Sequence, residues 1–170
     1  MITNNFKILM SHIAFGSTAT GSSTPAASSY TVTQTNGTSQ TQTTSPGPAL
    51  NMFINSLSHS EKSTSATYGA GYTTIRVGTG TTAPTSSDYE LEAITTELTV
   101  DSITNSITTN NTNTYTAIVS NPTNADIQLR EIGLYTNIWS REYLLDRTVL
   151  TTPITIPAGE SKPITYEIGF

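Results

Sequence analysis

A chain of 170 residues is long enough for one domain of ordinary size, burying roughly two thirds of the surface its unfolded form exposes. A net charge of −5 with no cluster of Lys and Arg excludes a protein built to neutralise nucleic-acid phosphates. The lack of any cysteine excludes a disulfide scaffold, a thiolate metal site and a cysteine nucleophile. Thr, Ser, Asn and Gly fill the polar positions, a composition that suits short strands joined by many turns.

Near the start, Phe6, Leu9, Met10 and Ile13 recur at i, i+3, i+4 and i+7, which puts them on one face of a helix. Asn4 or Asn5 can cap its start and Gly16 can end it, so residues 5–15 read as a short amphipathic helix. A helix of that length is marginal alone in water and needs a surface to dock on. The expected surface is another chain, with a dock on the chain's own sandwich as the alternative, which makes Phe6, Leu9, Met10 and Ile13 the candidate attachment or oligomer contact. The run from Ile8 to Phe15 does not read as a signal peptide, because Ser11 and His12 interrupt it and only Lys7 precedes it. No run approaches the ~18 apolar residues of a membrane-spanning helix. Small, polar residues 17–29 read as a flexible linker, so the expected organisation is a helix at 1–16, a linker at 17–29 and a body at 30–170.

The body opens with Tyr30 to Thr35, then Asn36-Gly37, then Thr38 to Thr44. Asn-Gly between two β-prone runs predicts a hairpin closed by a type I′ turn, and its polar composition predicts weak burial. Leu50, Phe53, Ile54 and Leu57 recur at helical spacing after Pro48, which predicts a short helix, with a strand as the alternative. Tyr72 to Val77 alternates as a strand, and the loop Gly78 to Pro84 follows. Ser87-Asp88-Tyr89-Glu90 matches a capping box and predicts a helical turn through Leu91. Ile94, Leu98, Val100, Ile103 and Ile107 predict one or two strands, and Tyr115, Ala117 and Val119 another. Asn121 to Asn124 is a turn.

The apolar residues concentrate between Ile127 and Phe170. Ile127 and Leu129 share a face, while Ile132 and Leu134 fall one residue out of phase with them. A β-bulge near Arg130 and Glu131 restores the phase. Tyr143 to Ile156 supplies further strand residues, and Pro157 to Ser161 has the Pro and Gly of a tight return. Ile164, Tyr166, Ile168 and Phe170 then alternate strictly, with Pro163 expected at a strand start or on an edge. The fold class is therefore mainly β: an antiparallel β-sandwich, jelly-roll or immunoglobulin-like, with a short N-terminal helix and one or two short helical segments.

Candidate chemistry is sparse. Gly78-x-Gly80 lacks the third glycine of a dinucleotide fingerprint, and Pro84 stands where a helix should open, so it reads as a turn. His12 and His59 have no second metal ligand at a usable spacing, and no Gly-x-Ser-x-Gly elbow is present. Glu90 with Glu92, or Glu131 with Glu142, are conceivable paired carboxylates, but the neighbouring Arg130 and Arg141 favour structural ion pairs. Tyr135, Trp139 and Tyr143 form the alternative candidate, a stacking surface for a sugar ring, although they also suit the staple of a hairpin loop. On this reading there is no catalytic residue, no cofactor and no metal.

Two stretches carry a likeness. Arg76-Val77-Gly78-Thr79-Gly80-Thr81-Thr82-Ala83-Pro84, with Asp88 and Leu91 after it, resembles a segment of small virion structural proteins of tailed bacteriophages. Arg130 to Tyr135, Leu144 to Arg147 and Ile156 to Ser161 are similar to the C-terminal half of the same group. The resemblance implies a β-sandwich that assembles in many copies on a phage particle, as head decoration, neck or tail component, without enzymatic activity. It implies other virion proteins and copies of itself as partners and a place in the virion after synthesis in the host cytoplasm, while the charge and the apolar run lengths lead to the expectation of no nucleic acid and no membrane as partners. A carbohydrate- or receptor-binding module, facing a host-surface glycan, is the alternative.

Overall fold

The structure is a computed structural model and describes residues 1–7, 28–44, 72–107, 112–138 and 141–169. Leu9, Met10, Ile13, both histidines, the helix expected over Leu50 to Leu57, and Trp139 lie outside these residues. Where apolar and polar residues alternate, the chain forms strands. These are β1 (Ser28–Thr33), β2 (Ser39–Thr44), β3 (Tyr72–Gly78), β4 (Thr99–Ile107), β5 (Thr112–Ser120), β6 (Ile127–Ile138), β7 (Arg141–Ile156) and β8 (Ser161–Gly169). β1 pairs with β2, β3-β6-β7 form one antiparallel sheet, and β4-β5-β8 form a second. Along β5 every second residue is buried, with Tyr115, Ala117 and Val119 inward.

The two three-stranded sheets face each other across one core. Ile75, Val77, Ile132 and Leu134 from the first meet Ile103, Tyr115, Val119, Ile164 and Ile168 from the second. Burying each such side chain contributes about 1.5 to 3 kcal/mol. The chain is thus an antiparallel β-sandwich, as its alternation predicts.

Several local expectations appear at their positions. Leu129 pairs with Ile154 and Glu131 with Val149, so the pairing is irregular at Arg130, which stands opposite Leu150 to Pro153 of β7, and Ile127 and Leu129 before it and Ile132 and Leu134 after it all reach the core. Gly159 has φ 71° in the turn Pro157 to Glu160, whose ends are joined by a hydrogen bond from Glu160 N to Pro157 O. Pro163 lies on β8, an outer strand of its sheet, with its side chain exposed.

Others are corrected. Gly37 N donates to Gln34 O, so Thr35 and Asn36 are the central turn residues and Gly37 follows them at φ 78°. That is a three-residue loop with glycine in the left-handed position, not a type I′ turn on Asn36-Gly37. The hairpin also buries more than its polar composition predicts, since Val32 sits in the core. Among the described residues no helix opens at Ser87; instead the Asp88 carboxylate reaches back to Thr85 N (3.0 Å) and Thr85 Oγ1 (2.6 Å), closing a turn two residues earlier.

The N-terminal segment is the third correction. Of the helix expected over 5–15 only residues 5–7 are described, within one helical turn at 4–7, and Phe6 points into the sandwich core. Thr3 N donates to Leu145 O and Ile2 bridges Asp146, so the segment adds to the side of β7. Asn5 clamps β1 by donating to Thr33 O (2.6 Å) and accepting from Thr33 N (2.8 Å). Phe6 therefore takes the alternative, a dock inside its own chain, while Leu9, Met10 and Ile13 lie outside the described residues. β1 starts at Ser28, inside the expected linker, whose residues 17–27 lie outside the described ones.

Candidate functional site

Among the described residues, the outer face of the β3-β6-β7 sheet carries a connected network of charged side chains. Side chains alternate across a strand, so once Ile132 and Leu134 face the core, Glu131, Gly133 and Tyr135 face away from it. On β7 the same face presents Leu144 and Arg147, and on β3 it presents Arg76 and Gly78, by register with β6. A loop from Thr79 to Ala93 lies over this face. Its ends meet, because Thr79 N donates to Ala93 O (2.9 Å) and Gly78 bridges Ile94.

Glu131 fastens that loop. Its side chain has no solvent exposure, and burying a carboxylate without partners would be prohibitive. Partners are supplied on every side. Oε1 accepts from Gly80 N (3.1 Å) and Ala93 N (2.7 Å), and Oε2 from Glu92 N (3.1 Å) and Arg147 Nε (2.9 Å). The other nitrogens of Arg147 continue outward. Nη1 donates to Asp88 Oδ2 (2.8 Å), and Nη2 to Thr82 O (3.2 Å) and to Glu92 Oε2 (3.4 Å). A planar guanidinium with donors in a fixed fork suits this task, which a lysine ammonium could not perform.

The loop holds itself by the same means. Glu92 accepts from Thr81 N (2.8 Å), Thr82 N (2.7 Å) and Thr82 Oγ1 (2.6 Å), and these bonds hold its carboxyl below the ordinary range. Burial pushes the Asp88 carboxyl up, but bonds from Thr85 and Arg147 outweigh it and leave the group below its ordinary value. Leu91 anchors the apolar half. It packs with Tyr135 and Leu144, and its N–H donates to Tyr135 Oη (3.0 Å). Burial pushes the Tyr135 hydroxyl well up, out of the physiological range.

Two glycines make the approach possible. A Cβ on Gly80 would stand 2.5 Å from Glu131 Oε1 and 2.7 Å from Glu92 Cβ, and one on Gly78 would stand 2.5 Å from Ala93 O. The Gly78-x-Gly80 spacing that resembles a nucleotide loop thus makes room for a carboxylate of the protein itself. Beside the latch, Arg76 bonds Glu142 at 2.6 Å, with its guanidinium carbon 5.2 Å above the Tyr135 ring. Burial raises the Glu142 and Glu90 carboxyls, and Arg76 opposes both shifts.

The expected ion partners are redistributed. Glu131 pairs with Arg147 rather than the adjacent Arg130, and Glu142 with Arg76 rather than Arg141. Sequence neighbours on a strand point to opposite faces, so partners come from other strands on the same face. The stacking surface is also corrected. Tyr135 and Tyr143 are both almost wholly buried, Tyr135 with Leu91 and Tyr143 in the main core, on opposite faces of one sheet. Two buried rings on opposite faces offer no common platform to a sugar.

With all its acceptor positions occupied by N–H donors, Glu131 has none left for a substrate, and its carboxylate serves to fasten the loop. A shallow cleft of about 530 Å³ lies on the loop, lined by Thr82, Ser87, Asp88, Tyr89 and Arg147 among others. The sequence signal for the latch was present but unassigned. It consisted of a glutamate and an arginine inside apolar strand runs and two glycines one residue apart.

No family model matches the chain, and neither a curated protein nor a solved structure matches it.

Proposed function

We propose that this chain is a non-enzymatic structural component of a tailed-phage virion, assembling in multiple copies on the head surface, neck or tail through contacts with other virion proteins and with copies of itself. One observation carries the reading. The segment Arg76 to Pro84 with Asp88 and Leu91, and the segments Arg130 to Tyr135 and Leu144 to Arg147 of the second resembling stretch, lie apart in sequence and interlock through Gly80, Asp88, Leu91, Glu131, Tyr135 and Arg147. Many of the resembling residues therefore fasten one loop to one sheet, which accords with a protein whose task is to hold a shape. The sugar-binding alternative has lost Tyr135 and Tyr143 as exposed rings.

The test is quantitative mass spectrometry of particles purified by density gradient from the phage whose genome encodes this chain. The expected result is the chain at many copies per particle, retained through successive gradients. Its recovery only from the soluble lysate, with none in the particles, would overturn the proposal.

A further inference from the structure

The β1–β2 hairpin carries the chain's single Asn-Gly pair, Asn36-Gly37, on an exposed loop. An asparagine before glycine has its own chemistry, because no side chain on the next residue obstructs attack by that residue's backbone nitrogen on the asparagine amide carbon. In the closed loop both reacting groups are engaged elsewhere. Asn36 Oδ1 accepts from Thr38 N (2.9 Å), and Gly37 N donates to Gln34 O (2.9 Å). The loop is in turn held to the sandwich from two sides. Thr35 N donates to Glu142 O (3.2 Å), and the Tyr89 ring lies against Gly37, where an added Cβ would stand 3.5 Å from Tyr89 Cζ.

We propose that Asn36 is a spontaneous deamidation site and that the docking of its hairpin on Glu142 and Tyr89 sets the rate. Local opening frees Gly37 N from Gln34 O. Hydroxide removes the N–H proton, and the nitrogen attacks Asn36 Cγ. The new N–Cγ bond forms, the Cγ–Nδ2 bond breaks, and ammonia leaves after taking a proton from water, which regenerates hydroxide. A succinimide remains, and water adds to either of its carbonyls to give aspartate or isoaspartate. Both products place a new negative charge on the loop beside β7's Glu142. The isoaspartate also inserts a methylene into the backbone of a loop whose closure sets the pairing of Thr33 with Ser39. The reaction therefore loosens the hairpin irreversibly.

The full-length chain, incubated at mildly alkaline pH and sampled over days, would be peptide-mapped by mass spectrometry, with the same chain in urea as the open reference. Conversion of amide to acid is expected at Asn36, several-fold slower in the native chain than in urea. It should accelerate several-fold in Tyr89→Ala and in Thr35→Pro. Proline suits the first central position of the turn and removes only the donor to Glu142, so that variant keeps the hairpin while loosening its dock; circular dichroism checks that both variants fold. Asn36→Gln should abolish the conversion at this position. Equal rates in the native and urea-treated chains, or unchanged rates in both variants, would overturn the role of docking. No conversion in the native chain or either variant would overturn the site itself.

Discussion

Glu131 on β6 and Arg147 on β7 meet at 2.9 Å on the outer face of their sheet, both side chains almost fully withdrawn from water. Each would be intolerable there alone. Together they satisfy three backbone amides of the overlying loop, two further carboxylates and one carbonyl, so a pair that is weak evidence for stability in the abstract is here the fastening of a whole loop. Arg147→Met should accordingly destabilise the protein by about 3 to 5 kcal/mol, because it strands Glu131 as a buried charge. Urea denaturation followed by circular dichroism would measure this. A loss no larger than the ~1 kcal/mol of an exposed pair would show that the latch carries no load.

The glycines test the same contact by sterics alone. Gly80→Ala forces a methyl to within 2.5 Å of Glu131 Oε1, and that carboxylate cannot retreat without abandoning its amide donors. A loss of about 1 to 3 kcal/mol is expected, as for overpacked sites. Thr79→Ala, exposed next door, should stay within about 0.5 kcal/mol. Thermal melts of the two variants side by side decide it.

Asp88 predicts a pH dependence. Its carboxyl sits below the ordinary value of 3.8 in the folded chain, so the folded state favours the ionised form. The stability this contributes is fully present above 3.8 and is lost as pH falls through the lower folded value. Glu142 has the opposite sign. Burial raises it above 4.5, so its contribution favours the folded state below that value and is lost as pH rises through the folded one. Asp88→Asn should therefore be less stable than the parent at neutral pH, with the gap closing as the pH drops below 3.8. A gap that stays constant across an acid titration would refute the assignment.

The core and the N-terminal dock make a matched pair of tests. Leu134→Ala, at a position with no solvent exposure, should cost about 2 to 5 kcal/mol. Phe6→Ala should cost about 3 to 5 kcal/mol if its ring is core, as its burial to 5% requires. Lys7→Ala, exposed beside it, should be nearly silent. Chemical denaturation that leaves Phe6→Ala as stable as the parent would return the first turn to the role of an external attachment element.

The sequence by itself determined what depends on the backbone period and on single-residue conformational limits. Alternation placed β5, β6 and β8, the phase slip before Ile132 located the irregularity at Arg130, Gly159 marked a left-handed turn residue, and Pro163 marked an outer strand. Each follows from two side-chain directions per strand or from what glycine and proline permit. Only the tertiary structure decided which side chain meets which. Glu131 takes Arg147 rather than its neighbour Arg130, Phe6 turns inward, and Tyr135 and Tyr143 vanish into opposite faces of one sheet. Partner choice depends on strand order and on register after two irregularities in the β6–β7 pairing. A one-residue slip exchanges the faces of a strand, so the cross-strand partners of the latch could not be counted out along the chain.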